Sequence, residues 1–202
     1  MLLWGVHRNG GITGGVPALL RVVGGKYGGR KLATPRGDQT RPTSDMAREG
    51  LFNALSHLVE WEGLLALDLF AGSGALGIEA ISRGAERVVF VESHGKTVTL
   101  IRENLRSLGV EPERARVLKA DVAAWLEKIP EAGFGLVLMD PPYAYAGYES
   151  VLKRLARQPA VASGALIVVE ADRTRELEPP ANLELVRLKR YGDTQIFIYQ
   201  KK

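Results

Sequence analysis

From Leu64 onward, short apolar runs alternate with longer amphipathic stretches. Leu65–Phe70, Arg87–Glu92, Arg116–Ala120, Phe134–Met139 and Leu166–Glu170 are apolar runs of strand length. Ala75–Arg83, Lys96–Leu108, Ala123–Ile129 and Tyr148–Arg157 lie between them and carry apolar residues at helical spacing. Strands that are apolar throughout, each followed by a helix, predict a parallel sheet covered on both faces, an α/β doubly wound fold. The ending differs. Leu183–Tyr191 and Thr194–Tyr199 flank Gly192-Asp193, which predicts an antiparallel hairpin. Before the alternation begins, Leu19–Val23 and Arg30–Leu32 flank the glycine-rich Gly24–Gly29, which reads as a glycine-turned hairpin. Residues 34–42 read as loop. Thr43, Ser44 and Asp45 are candidate N-caps for a helix running to about Leu58, with Phe52, Leu55 and Val59 at core spacing.

The 202 residues suit one domain, and 46% hydrophobic with 25% charged residues is ordinary for a globular chain. There is no cysteine, which excludes disulfides and thiolate chemistry. His7, His57 and His94 are scattered and make no metal-ligand spacing. No apolar run approaches the roughly 20 residues needed to span a bilayer, and a cytoplasmic location is expected. Residues 1–18 are glycine-rich and weakly patterned and read as a flexible extension; residues 19–42 form a basic hairpin and loop, and residues 43–202 the main domain. The charge is uneven. Residues 1–48 hold eight Lys and Arg against two acids, while the rest of the chain holds 19 against 21. With Tyr27 and glycines interleaved, Arg21, Lys26, Arg30, Lys31 and Arg41 are candidate phosphate-binding residues for RNA.

Two places carry chemistry. Asp68-Leu-Phe-Ala-Gly72-Ser-Gly74-Ala-Leu-Gly77 ends the first strand and opens the first helix of the alternation. Ligands of open α/β sheets bind at the carboxyl ends of strands, where this loop falls. The spacing of Gly72, Gly74 and Gly77 also fits a dinucleotide loop. Asp68, however, would repel a pyrophosphate, whereas it suits an ammonium group. Glu92 ends the second strand 24 residues later, close to the roughly 20-residue offset at which an acid meets ribose hydroxyls. Asp121 ends the third strand and can accept from an adenine amino group while the Val122 amide donates to the ring; capping the following helix is a compatible role for Asp121. The second place is Asp140-Pro141-Pro142-Tyr143, at the end of the strand Phe134–Met139. The Asp140 carboxylate and the Pro141 carbonyl can both accept from an exocyclic amine of a nucleobase. The prolines stiffen the backbone, and Tyr143 offers a face for an unstacked base.

Four stretches together, Arg21–Leu32, Arg41–Asn53, Leu67–Ala80 and Asp140–Tyr143, resemble the RsmD family of 16S ribosomal RNA guanine-N2 methyltransferases, and Lys189–Thr194 is similar as well. The resemblance implies a class I methyltransferase Rossmann-like sheet of order 3-2-1-4-5-7-6 with an antiparallel last strand and an N-terminal hairpin and helix extension. It implies S-adenosyl-L-methionine as methyl donor. The expected partner is 16S rRNA within the small ribosomal subunit or an assembly intermediate, with no membrane and a monomeric protein. Carried onto this chain, Asp140, Pro141 and Tyr143 serve catalysis, and Asp68, Phe70, Gly72, Gly74, Glu92, Asp121 and Val122 line the cofactor. Pro142 joins the basic residues at the RNA. Arg41 and Thr43 match the family's Arg-Pro-Thr segment, expected near the reaction centre. Ser93-His94 departs from the charged pair expected after the ribose acid. The alternatives are an adenine-N6 methyltransferase on DNA or RNA, a dinucleotide-dependent oxidoreductase, and a non-catalytic RNA-binding assembly factor.

Overall fold

A computed structural model describes residues 20–35, 42–130, 132–142 and 144–202. Seven strands form one sheet: β1 (Leu65–Leu69), β2 (Arg87–Glu92), β3 (Ala115–Lys119), β4 (Phe134–Met139), β5 (Val161–Asp172), β6 (Leu183–Tyr191) and β7 (Thr194–Lys201). Their order is β3-β2-β1-β4-β5-β7-β6, as the resemblance implied. The first five strands run parallel, and β7 pairs antiparallel with both β5 and β6. The Gly192-Asp193 hairpin between β6 and β7 therefore lies at the same edge as the carboxyl ends of β1, β2 and β4.

Alternation along the strands sorts the core into two layers. Ala66, Phe90, Leu136, Leu138, Val168 and Ile198 face α1 (Pro42–Leu55), α2 (Ala75–Ser82) and α3 (Gly95–Leu108). Leu67, Val89, Val137, Met139, Ile167 and Tyr199 face α4 (Val122–Trp125) and α5 (Tyr148–Arg157). Each fully buried Leu, Val or Phe stabilises the fold by about 1.5–3 kcal/mol relative to exposure.

The N-terminal hairpin belongs to the first layer. Leu20, Val22, Tyr27 and Leu32 are buried with α1, α2 and α3. It is less regular than its sequence pattern, with one bridge, Arg21 to Lys31, and a 3-10 turn at Gly25–Tyr27. Its register is kept by Leu32 N donating to Leu20 O (2.8 Å) and Val22 N to Arg30 O (3.0 Å).

Other boundaries move for local reasons. The first helix begins at Pro42, ahead of the Thr43–Asp45 caps, because proline fits a first turn where its missing N–H is not needed. The short helix α4 stops at Trp125 rather than Ile129 and gives way to a turn; Pro130 keeps Ile129 itself out of helix. Strand β5 starts at Val161, five residues before its apolar run. There the register against β4 jumps from Phe134–Val161 to Leu136–Leu166, with Gly164 at φ +82°.

Candidate active site

The carboxyl ends of β1, β2 and β4 and the start of α4 surround a cavity of about 480 Å³. It is lined by Asp68, Phe70, Gly72, Glu92, Asp121, Val122, Asp140, Pro141 and Pro142, together with Ala71, Ser73, Ala75, Leu76, Ser93 and His94. Residues picked from four separate stretches of sequence thus meet in one place.

The loop after β1 owes its course to three left-handed residues, Phe70 (φ +58°), Gly72 (φ +54°) and Gly74 (φ +80°). Phe70 is the only non-glycine among the described residues in that region, a conformation that costs of order 1–3 kcal/mol. Its ring lies 4.8 Å from that of Tyr145, which in turn lies 5.7 Å from Tyr148. Gly74 caps α2 without lining the cavity. A Cβ at Gly77 would overlap the Phe90 ring and the Asp68 carboxylate, so glycine there lets α2 seat directly on the sheet.

Asp68 is 1% exposed, and its Oδ2 accepts from Gly77 N at 2.9 Å. Burial pushes its carboxyl well above the usual range; the Gly77 hydrogen bond opposes the shift, and the charges of Asp140 and Glu92 add to it. Besides lining the cavity, Asp68 therefore pins the start of α2. Glu92 is a clasp: Oε2 accepts from Gly72 N (3.0 Å) and Oε1 from His94 N (2.8 Å), joining the loops after β1 and β2. The exposed His94 ring folds back to within 3.3 Å of the same Oε1, so the Ser93-His94 departure places an imidazole at the cavity mouth. Asp121 caps α4 through Ala124 N at 2.9 Å and still lines the cavity, so the two roles coexist.

Asp140 is exposed at the rim, Pro141 is buried beside it and Pro142 is exposed. Tyr145 N donates to Pro142 O at 2.8 Å and closes the turn. Tyr143 and Arg41 lie outside the described residues, as do residues 1–18.

None of Arg21, Lys26, Arg30 and Lys31 lines the cavity. All four are exposed on the hairpin. Lys26 pairs with Glu111 at 3.4 Å, and Arg30 donates to Ser107 O at 2.8 Å. The glycine turn packs against Ser82 and Arg83, at the far end of α2 from the cavity loop. Eight helical residues put about 12 Å between the two ends. The hairpin base is closer: Ala33 bonds Asn104, which also donates to Ser73 O in the loop after β1.

A sheet in this order, with a glycine loop after β1 and an acid-lined cavity at the carboxyl edge, is that of a class I methyltransferase. The chain belongs to the RsmD family. A family model described as conserved hypothetical protein 95 matches residues 20–200. Over 186 residues the chain is 36% identical to the putative rRNA methyltransferase YlbH of Bacillus subtilis, covering 91% of this chain and 100% of that one. It is 34% identical to the ribosomal RNA small subunit methyltransferase D of Escherichia coli K12, covering 91% and 90% of the two. A solved structure of a putative methyltransferase from Escherichia coli superposes with a TM-score of 0.79 at 34% identity, covering 91% of this chain and 98% of that chain.

Proposed function

We propose that this protein transfers a methyl group from S-adenosylmethionine to the exocyclic N2 amine of one guanine in 16S rRNA, presented in the small ribosomal subunit or an assembly intermediate. The observation that carries the reading is the cavity's chemistry. Four carboxylate residues, Asp68, Glu92, Asp121 and Asp140, line it, and no lysine or arginine does among the described residues. Such a lining fits a cationic, hydroxyl-bearing ligand and opposes the pyrophosphate of a dinucleotide. S-adenosylmethionine, when bound, supplies a methyl activated by a sulfonium. Glu92, with both oxygens already aligned by backbone donors, has lone pairs left for ribose hydroxyls. Asp121 and the Val122 amide stand where an adenine edge is read, and Asp68 lies on the methionine side. The names of the relatives support an rRNA substrate.

At the rim, the Asp140 carboxylate and the Pro141 carbonyl accept from the two N–H bonds of the amine. That amine is a weak nucleophile because its lone pair is delocalised into the base. Fixing it in line with its methyl donor lowers the barrier, since positioning alone supplies up to roughly 7–11 kcal/mol. The base must leave its stack to reach the rim, at a cost of a few kcal/mol that a loop nucleotide avoids. Tyr143 follows in the motif as a stacking partner.

The test is methylation of small subunits lacking this modification, followed by mass mapping of nucleosides. N2-methylguanosine at one 16S position is expected. N6-methyladenosine, or no transfer from S-adenosylmethionine, would overturn the reading.

A further inference from the structure

One acidic side chain near the rim has no part in the mechanism above. Glu170 lies near the end of β5, and its strand is in register with β4: Leu138 pairs with Val168 and Met139 with Val169. Continuing that register by one step, just past the end of β4, sets Asp140 beside Glu170. Leu138 and Val168 belong to the core layer beneath α1, and alternation sends Asp140 and Glu170 to that same face. Among the described residues, two charged groups bear on Glu170. Asp140 acts from the end of β4 and Arg48 from α1. From β7 its pairing partner is Ile196, which carries no charge. Arg48 is 7% exposed and also donates to the Arg21 carbonyl at 2.8 Å, tying the hairpin base to this corner.

Resting on the methyltransferase reading, we propose that Glu170 is a positioning residue of the same site: paired with Asp140 and steadied by Arg48, it holds the proton the two acids share, leaving Asp140 the acceptor that faces the amine. Two adjacent carboxyls disfavour double ionisation and titrate as a pair. Burial and then the Asp140 charge push Glu170 up to about 8, against the opposing pull of Arg48. In the transfer step the nitrogen lone pair forms the N–C bond, and the electrons of the broken C–S bond stay on sulfur. The surplus N–H proton passes to the Asp140 carboxylate. The pair then holds two protons, and the exposed Asp140 returns one to water before the next turnover.

Two measurements on the full chain test this. The first needs no activity: the Glu170 carboxyl is titrated by carbon NMR in the wild type and in Asp140→Asn. Removing the neighbouring charge is expected to lower the Glu170 midpoint by about one unit, as for close like charges; an unchanged midpoint overturns the pairing. The second compares kcat against pH for wild type, Glu170→Gln and Glu170→Ala on small subunits with saturating donor. Gln mimics the protonated acid, so it should keep kcat within about threefold of wild type below pH ~8 and diverge above it, whereas Ala should lose about tenfold or more throughout. Superimposable profiles for wild type and Gln would overturn the positioning role. A wild-type protein inactive on small subunits while the coupling persists would sink the methyltransferase reading, and the role with it.

Discussion

Asp140 and Glu92 line one cavity but do different work, and single substitutions separate them. Asp140→Asn keeps volume and hydrogen bonding but removes the carboxylate proposed to orient the amine and take its proton. Transfer should fall about 10²–10⁴-fold, while S-adenosylmethionine affinity, measured by calorimetry, stays unchanged; a full-rate variant would remove Asp140 from the chemistry. Glu92→Ala instead frees Gly72 N and His94 N from their shared acceptor and deletes the proposed ribose partner. Losing a charged acceptor costs about 1.5–3 kcal/mol, so the cofactor dissociation constant should rise about 10- to 100-fold. At this scale the sequence was readable wherever a motif spoke. Asp68, Glu92, Asp121 and Asp140 were chosen from strand ends and found in one cavity. The Asp68–Gly77 hydrogen bond was signalled only by the third glycine of the loop, the position that permits close helix–strand packing. Glu170 stands in no motif. Only the parity it shares with Leu166 and Val168, matched against Asp140 with Leu136 and Leu138, marks it.

The N-terminal hairpin shows what an element's sequence conceals. Its glycines and charges read as an arm reaching for RNA, and Leu19–Val23 and Arg30–Leu32 around the glycine turn read as a strand pair. The pattern could not show that the partner surface is α2 and α3. Glu79 is fully buried on α2, where its two oxygens accept from Val23 N (2.7 Å) and Gly24 N (2.9 Å) and Oε1 also meets Arg83 Nε (2.9 Å). Ser82 Oγ bridges Tyr27 N and Gly24 O in the same seam. A glutamate inside an otherwise apolar helix stretch was the available clue, since buried acids are retained where they are paired. Glu79→Ala strands two amides and a guanidinium, and should lower stability by about 3–5 kcal/mol, seen as a lower thermal midpoint with hydrogen exchange raised first at residues 22–32. An unshifted midpoint would mean the seam is dispensable. The same seam makes deletion of residues 1–40 a folding lesion as well as a loss of cations, so RNA contacts are better tested by point changes. Arg21 and Lys31 at the hairpin base lie nearer the site than Lys26, which Glu111 already neutralises in part. Arg21→Ala with Lys31→Ala should weaken rRNA binding and flatten its salt slope more than Lys26→Ala does.

Over the whole molecule, the displaced carboxyls among the described residues fall into two groups with opposite effects on stability. Asp68 and Glu170 have carboxyls raised by burial, on the sheet face that also carries Asp140. Glu111, Glu127 and Asp172 are lowered, by its own backbone and Lys26, by Arg154, and by Thr174 respectively. Glu111 and Glu127 are exposed and Asp172 is half-buried at a strand end, where water and salt screen such contacts to little net effect. The buried Asp68 and half-buried Glu170 therefore set the trend. A group whose folded value lies above its unfolded one favours folding in its protonated form. Its contribution is complete below the unfolded value and disappears as pH rises through the folded one. For Glu170 that window runs from the ordinary carboxyl value of 4.5 to about 8, and Asp68 adds a change of the same sign. The protein should thus be less stable at pH ~8 than at pH ~5, against the common expectation that paired carboxylates make stability rise over that range. Glu170→Gln, neutral at every pH, should have a thermal midpoint that varies less across the window and exceeds the wild-type value at its alkaline end. A wild-type midpoint that climbs from pH ~5 to ~8, or a Gln variant that follows it in parallel, would show that the acid row is not held protonated. The active-site edge would then owe its stability to other groups. If the fall is seen, the carboxylates gathered for a cationic ligand strain the empty fold, and binding that ligand should relieve the strain, so added S-adenosylmethionine should raise the midpoint most at the alkaline end of the range.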